Sequence, residues 1–256
     1  MYQIIAYFKF LWRSTNQHGV HSPFVYKLVT ECFYDKKRYP SYDLMNRSRK
    51  SLLRNTSTIE VKDFGAGSRI FRSSVRKIQD IAKTAGITKK RGQLLNRLTR
   101  YLNIRTALEL GTSLGLGTTA LAVSNQVKVT SIEGCPNTAK VAQEQFNDLG
   151  LKNINILTGD FTKILQPSQF QDPFDLIYFD GNHQKQSTME YFNLLLPFSN
   201  NNSVFIFDDI YWSREMTEAW EEIKAHPSVK VSIDTFYWGM VFFRKEQEKE
   251  HFTIRI

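Results

Sequence analysis

Downstream of Arg105 the chain alternates short apolar runs with longer stretches of helical pattern. The runs "TALELG" (106 to 111), "KVTSIEG" (128 to 134), "NINILTGD" (153 to 160), "FDLIYFDG" (174 to 181) and "SVFIFDD" (203 to 209) read as strands. β-Branched and aromatic residues fill them and turn residues bound them. The stretch "PNTAKVAQEQFNDLG" carries Pro136 at a helix start and Gly150 just past its end. Alternation this regular predicts a parallel sheet covered on both faces. After the helical "SREMTEAWEEIKAH", the runs "KVSIDTF" and "GMVFFRK" are joined by a few residues around Tyr237 and Trp238. So short a connection allows only an antiparallel hairpin.

The first 105 residues read as mainly helical. "MYQIIAYFKFLW" puts Ile4, Ile5, Phe8, Leu11 and Trp12 on one helical face. "HSPFVYKLVTECF" offers Ser22 as N-cap and Pro23 as first helical residue. Segments 70 to 85 and 90 to 103 predict two more helices. The expected division is a basic helical extension or cap over residues 1 to 105 and an α/β domain over 106 to 256.

Charge sharpens that division. The net charge of +9 combines residues 1 to 105, with 22 Lys+Arg against 6 Asp+Glu, and an acidic remainder with 12 against 19. A basic part of this kind suits a phosphate-bearing, nucleic-acid or otherwise anionic partner, or is a solvated helical surface docked on an acidic core. With 41% hydrophobic and 23% charged residues the chain is an ordinary globular one. Its two cysteines, Cys32 and Cys135, form no disulfide framework and no metal-ligand spacing. No apolar run approaches the ~20 residues that span a bilayer, and no cleavable leader is evident in "MYQIIAYFKFLWRS". A cytoplasmic location is the expectation.

Two glycine-bearing loops compete as a nucleotide cradle. "VKDFGAGSRI" (61 to 70) and "ALELGTSLGLGTTALA" (107 to 122) both read as strand, turn and helix. Such a loop works because glycine permits close backbone approach and the following helix offers free N–H groups. A nucleotide fold also needs an acidic residue at the end of a second strand, ~20 residues on, for the ribose hydroxyls. Glu133 meets that need for Gly111, whereas the chain after Gly65 is helical. The early loop is then a plain turn, or an anion or substrate contact with Arg69 and Arg72.

A parallel sheet closed by a terminal antiparallel hairpin resembles class I S-adenosylmethionine (SAM)-dependent methyltransferases over residues 106 to 245. The resemblance implies an α/β, Rossmann-like, seven-stranded, mostly parallel sheet with an antiparallel last strand, and a helical N-terminal extension over the active-site mouth. Glu109, Gly111 and Gly115 match the family's first motif, an acidic residue followed by Gly-x-x-x-Gly, and Gly117 and Thr118 extend it. By that resemblance the loop, with Thr112 and Ser113, cradles the methionine moiety of SAM. Glu133 and Gly134 take the ribose, and Asp160 and Phe161 the adenine. Asp160 also reads as a helix N-cap.

Asp180 ends the fourth run, and Asp208 and Asp209 end the fifth. In open α/β sheets ligands bind beyond the carboxyl ends of strands. Three carboxylates crowded there would repel one another unless a cation relieved them. Oxygen ligands suit Mg²⁺, Ca²⁺ or Mn²⁺. Metal-dependent O-methyltransferases of the catechol and caffeoyl-coenzyme A type hold such an ion with an aspartate and an Asp-Asn pair at these places. This chain is similar at Asp180 and Asp208 and departs at Asp209. The other reading makes Asp208 and Asp209 caps of the helix beginning near Ser213.

His183 lies three residues after Asp180, where the catechol-type enzymes carry a lysine base. Histidine is the side chain suited to taking a hydroxyl proton at neutral pH. Lys185 is the fallback, and His18 and His21 reach the site only if the N-terminal helices cover it. Tyr211 and Trp212 are candidate walls for an aromatic acceptor, while Tyr237 and Trp238 read as hairpin or core residues.

The leading function is SAM-dependent O-methylation of a small hydroxylated acceptor, anionic or aromatic, assisted by a divalent cation. RNA methylation at ribose or base, drawing on the basic N-terminal part, is the second. A non-catalytic cofactor-binding or membrane-surface role through "IIAYFKFLW" is the third. A homo-oligomer is compatible with each.

Overall fold

The computed structural model describes residues 1–62, 73–124 and 126–256. Its contacts gather into two compact units, Met1–Asp35 with Leu165–Ile256, and Lys36–Ile164.

The first of these units opens with α1 (Tyr2–Arg13) and α2 (Pro23–Lys27), the latter capped by Ser22, whose Oγ accepts from the Val25 N–H. A π-helical turn, Leu28–Phe33, follows α2.

The middle unit begins with α3 (Ser41–Arg54), then a hairpin of β1 (Thr58–Glu60) and β2 (Val75–Lys77), then α4 (Ile78–Thr84) and α5 (Lys89–Tyr101). The hairpin interrupts a stretch read as mainly helical. Of the helix expected over 70 to 85, residues 70 to 72 lie outside the described residues, and among the described ones it begins only at Ile78, because Val75, Arg76 and Lys77 pair with Glu60, Ile59 and Thr58. Beyond it lie β3 (Thr106–Leu110), α6 (Leu116–Ala122), β4 (Lys128–Glu133), α7 (Pro136–Asp148), β5 (Ile154–Thr158) and α8 (Phe161–Ile164). Within this unit β3, β4 and β5 are parallel neighbours, with Thr106 opposite Lys128 and Val129 opposite Ile154. Pro136 starts α7, and Gly150, at φ 70°, turns the chain out of it. Ala142 and Phe146 of α7 pack with Leu151 against β5.

The chain then returns to the first unit through β6 (Leu176–Phe179), α9 (Lys185–Leu195), β7 (Val204–Asp208), α10 (Arg214–Ala225), β8 (Val231–Asp234), β9 (Trp238–Phe242) and β10 (Glu250–Thr253). Here the strand order is β10-β8-β9-β7-β6. β6 and β7 are parallel, β9 is antiparallel to both β7 and β8, and β10 runs parallel to β8. The final strand is missing from the sequence reading, since "EHFTIRI" is too short and polar to register as one. Strands β6, β7 and β9 are buried throughout, and Phe192, Phe205, Phe207, Trp220 and Trp238 fill the core beside them. The fold class is α/β with mostly parallel strands, as expected. No helix among the described residues is long and apolar enough to cross a membrane.

Candidate functional site

In the middle unit the chain leaves β3 through a turn that only glycine and a strained serine allow. Gly111, Ser113 and Gly115 take φ of 105°, 49° and 79°. A Cβ on Gly115 would lie 2.6 Å from the Phe146 ring, so the turn sits hard on α7. The N–H groups of Gly111 and Thr112 both donate to the Ile132 carbonyl, which sets the turn against the end of β4.

Two glutamates hold this turn. Glu133 ends β4, and its carboxylate accepts from the Ser113 N–H at 2.8 Å and the Cys135 N–H at 2.9 Å. Burial pushes its carboxyl above the ordinary range, against the pull of those backbone donors. Glu109, on β3, is fully buried. Its Oε2 accepts from the Ser131 hydroxyl at 2.6 Å and from the Thr118 hydroxyl, while Thr112 Oγ1 lies 2.5 Å from Ser131 Oγ. Its Oε1 is buried with no hydrogen-bond partner among the described residues. Burial, the dominant influence, pushes its carboxyl up to about 7. Thr118 and Ser131, the latter beside Thr112, thus surround Glu109, while the backbone of Ser113, Gly134 and Cys135 surrounds Glu133. The inward polar Ser131 went unnoticed, although its place two residues before Glu133 put it on the same strand face.

Asp160 is a helix cap in this structure: its Oδ1 accepts from the Thr162 N–H at 2.8 Å and from the Thr162 hydroxyl, bonds that hold its carboxyl below the usual range. Phe161, half-buried, begins α8 beside it.

The other unit carries the predicted acids and base. Asp208 is buried, with Oδ2 accepting from the Tyr178 hydroxyl at 3.2 Å and Oδ1 from the Asp209 N–H at 2.9 Å. Asp209 sits at φ 53° as the chain turns toward α10, whose N-cap is Ser213, its Oγ accepting from the Met216 N–H. Asp180 is half-buried just after β6. Asn182, at φ 53°, bends the following loop and donates through Nδ2 to the Tyr191 hydroxyl at 3.2 Å. The bend leaves the His183 ring 6.1 Å from that of Trp212. Lys185 forms ion pairs with Glu222 at 2.7 Å and Glu218 at 3.2 Å. Both bonds raise its pKa, so it keeps its proton and makes a poor base. Tyr211 donates to Asp234 Oδ2 at 2.5 Å, Trp238 is core, and Tyr237 is exposed. His18 and His21 are exposed on the turn before α2.

Among the described residues no three His, Cys, Asp or Glu side chains gather as a metal ion requires. Each Asp208 oxygen accepts one hydrogen bond from the protein and keeps a further lone pair. The early glycine loop at Gly65, with Arg69 and Arg72, lies outside the described residues.

Residues 108–210 match the model of a family described as a methyltransferase domain. No curated protein matches the sequence. Among solved structures the chain is similar to an O-methyltransferase from Bacillus cereus in complex with SAH, at 18% identity and TM-score 0.57, covering 82% of this chain and 94% of that one. It is similar to TomG from Streptomyces achromogenes, an O-methyltransferase involved in tomaymycin synthesis and bound to SAM, at 17% identity and TM-score 0.56 over 90% and 99% of the two chains. The SAH-bound methyltransferase PaMTH1 of Podospora anserina matches at 12% identity and TM-score 0.60, over 88% and 97%. At such identities the likeness is one of fold. Residues 108–210 thus resemble a methyltransferase domain, and the chain has the fold of the solved methyltransferases.

The buried Glu109 makes the unliganded protein sensitive to pH. Its carboxyl holds a proton more tightly folded than unfolded, so the stability this contributes is full below about 4.5 and is lost as pH rises through about 7. The loss is on the order of 3 kcal/mol. Thermal melts should show the melting temperature falling across that window in the wild type and falling less in Glu109→Gln. Parallel curves for the two proteins would contradict this.

Proposed function

We propose that this chain is a SAM-dependent methyltransferase that methylates a hydroxyl oxygen of a small acceptor. The observation that carries the reading is the Glu133 carboxylate. Two backbone N–H groups fix it at a strand end, facing a left-handed glycine turn. Each of its oxygens retains a lone pair for one of the vicinal hydroxyls of a ribose. The buried Glu109 Oε1, without a partner among the described residues, is an acceptor suited to an ammonium such as that of the methionine moiety. Phe161 supplies a ring face for adenine, and Asp160 a polar edge.

When bound, SAM supplies a methyl carbon made electrophilic by its sulfonium. Methyl transfer to the acceptor oxygen would return the carbon–sulfur electron pair to sulfur and release the hydroxyl proton. His183 is the candidate base for that proton, on the loop that Asp180 begins after β6. Trp212, beside His183, favours an aromatic hydroxylated acceptor, whereas Tyr211, expected as a second wall, is taken up by Phe236 and α1. No cation enters this scheme.

Three measurements test it. Calorimetric titration with SAM should show Glu133→Ala binding about 10 to 100 times more weakly, the loss expected for hydrogen bonds to a charged group. Unchanged affinity would remove the ribose role. With a catechol as probe acceptor, His183→Ala should lower kcat by about 10² to 10⁴ at unaltered SAM affinity. An undiminished kcat would sink the base assignment. Turnover should survive dialysis against EDTA, and a loss restored by Mg²⁺ would return Asp180, Asp208 and Asp209 to a ligand role.

A further inference from the structure

Helix α1 is apolar on two opposite faces, and only one of them is covered. Ala6 and Phe10 are buried against Phe236, with Leu11 and Tyr211 packed beside them. The Phe10 and Phe236 rings lie 5.5 Å apart, and Tyr7 meets Phe236 edge-on at 4.8 Å. The Tyr2 hydroxyl donates to Thr217 Oγ1 at 2.7 Å, and the chain just after the helix bridges to the last strand, the Thr15 N–H donating to the Thr253 carbonyl at 2.9 Å. The helix is thus fastened to its unit along its length. Its outer face carries Ile4, Phe8 and Trp12, spaced four residues apart, at 63%, 66% and 86% exposure, with Ile5 beside them at 50%. A tryptophan so exposed at the end of an apolar stripe has no structural use in the isolated chain. Contiguous stripes of this kind mark surfaces that meet something.

The charges on the helix indicate what it meets. The segment "YQIIAYFKFLWR" contains no acid, and its two cations, Lys9 and Arg13, are exposed on the flank between the outer stripe and the docked face. There they line a recess of about 230 Å³ with Lys224, Glu221 and Asp234. A short helix with aromatic and aliphatic side chains outward and basic residues at its flank is built to lie in the plane of a lipid interface, its cations reaching the headgroups. A second copy of the chain fits less well. A helix of 12 residues is about 18 Å long and about 10 Å wide, a footprint of roughly 200 Å², against the ~800 Å² per partner of a stable dimer. Two such helices face to face would also bring like charges together at their flanks.

We propose that α1 docks this protein onto an anionic lipid surface, with Ile4, Phe8 and Trp12 inserted at the boundary between headgroups and acyl chains. The helix lies on the membrane and does not span it. This reading is independent of the proposed reaction, since none of the three side chains belongs to the catalytic or cofactor machinery. Lipid electrostatics and apolar burial act together, so each should be separately visible.

The test is co-sedimentation of the full chain with vesicles of phosphatidylcholine mixed with phosphatidylglycerol, and with vesicles of phosphatidylcholine alone. The wild type should pellet with the anionic vesicles, and less so with neutral ones or in high salt. The double variant Phe8→Ser with Trp12→Ser should keep its circular dichroism and thermal melt, because both side chains are exposed, yet bind about tenfold or more weakly. Lys9→Gln with Arg13→Gln should lose mainly the salt-sensitive part. A wild type that stays in the supernatant, or a serine variant that pellets equally, overturns the proposal. So does a wild-type dimer in light scattering that becomes monomeric in the serine variant, which would assign the stripe to a second copy.

Discussion

A single buried carboxyl ties together the end of the middle unit where β3 passes into α6. Glu109 brings β3, α6 and β4 to one point through the hydroxyls of Thr118 and Ser131. The left-handed turn between β3 and α6 can close only because that point is held. A buried acid hydrogen-bonded through one oxygen and bare at the other is expensive to leave ionised, so its environment drives it toward the neutral form. The cost is borne where a ligand with a cationic group could relieve it.

Glu133 works by a different balance. It is less enclosed, and backbone N–H groups on both of its oxygens favour its charge while burial opposes it. Two acids on neighbouring parallel strands, Glu133 two residues beyond the position opposite Glu109, therefore have different chemistry. One is a structural knot with a spare acceptor, the other a fixed anion at a strand end, which is what recognition of a diol requires.

The opposite unit uses its strand-end acids more conservatively. Asp208 satisfies the Tyr178 hydroxyl and the N–H of its own neighbour, so the acidic pair "DD" first serves to turn the chain out of β7. Asp234 does similar work at the end of β8, accepting from Tyr211 and from the Phe236 N–H. Burial pushes both the Asp234 carboxyl and the Tyr211 hydroxyl upward, which keeps a proton between them. That bond positions Tyr211 flat against Phe236, with ring centroids 5.1 Å apart, and so prepares the floor on which α1 lies.

What the sequence determined by itself was local and periodic. Strands with β-branched and aromatic runs, the helix after Pro136, the cap at Ser22 and the Gly111 to Gly115 turn were all legible, because each depends on residues close in the chain, whereas Ser213 and not Asp208 or Asp209 caps α10. The partner of Gly111 in Glu133 was legible too, since the spacing of a strand, a helix and a strand is nearly fixed. Only the tertiary structure decided the rest. The β1–β2 hairpin and β10 exist because of partners supplied elsewhere, and no pattern of their own announces them. Lys185 looked like a base until Glu218 and Glu222 of α10 were seen to hold its proton. Sequence reports that Asp180, Asp208 and Asp209 end strands but not which donors meet them, and Asp208 is met by the Tyr178 hydroxyl and the Asp209 N–H. The helical face of Ile4, Phe8 and Trp12 was readable in the chain, but that Ala6 and Phe10 would take the docked side and leave that face outward depended on Phe236, more than two hundred residues away.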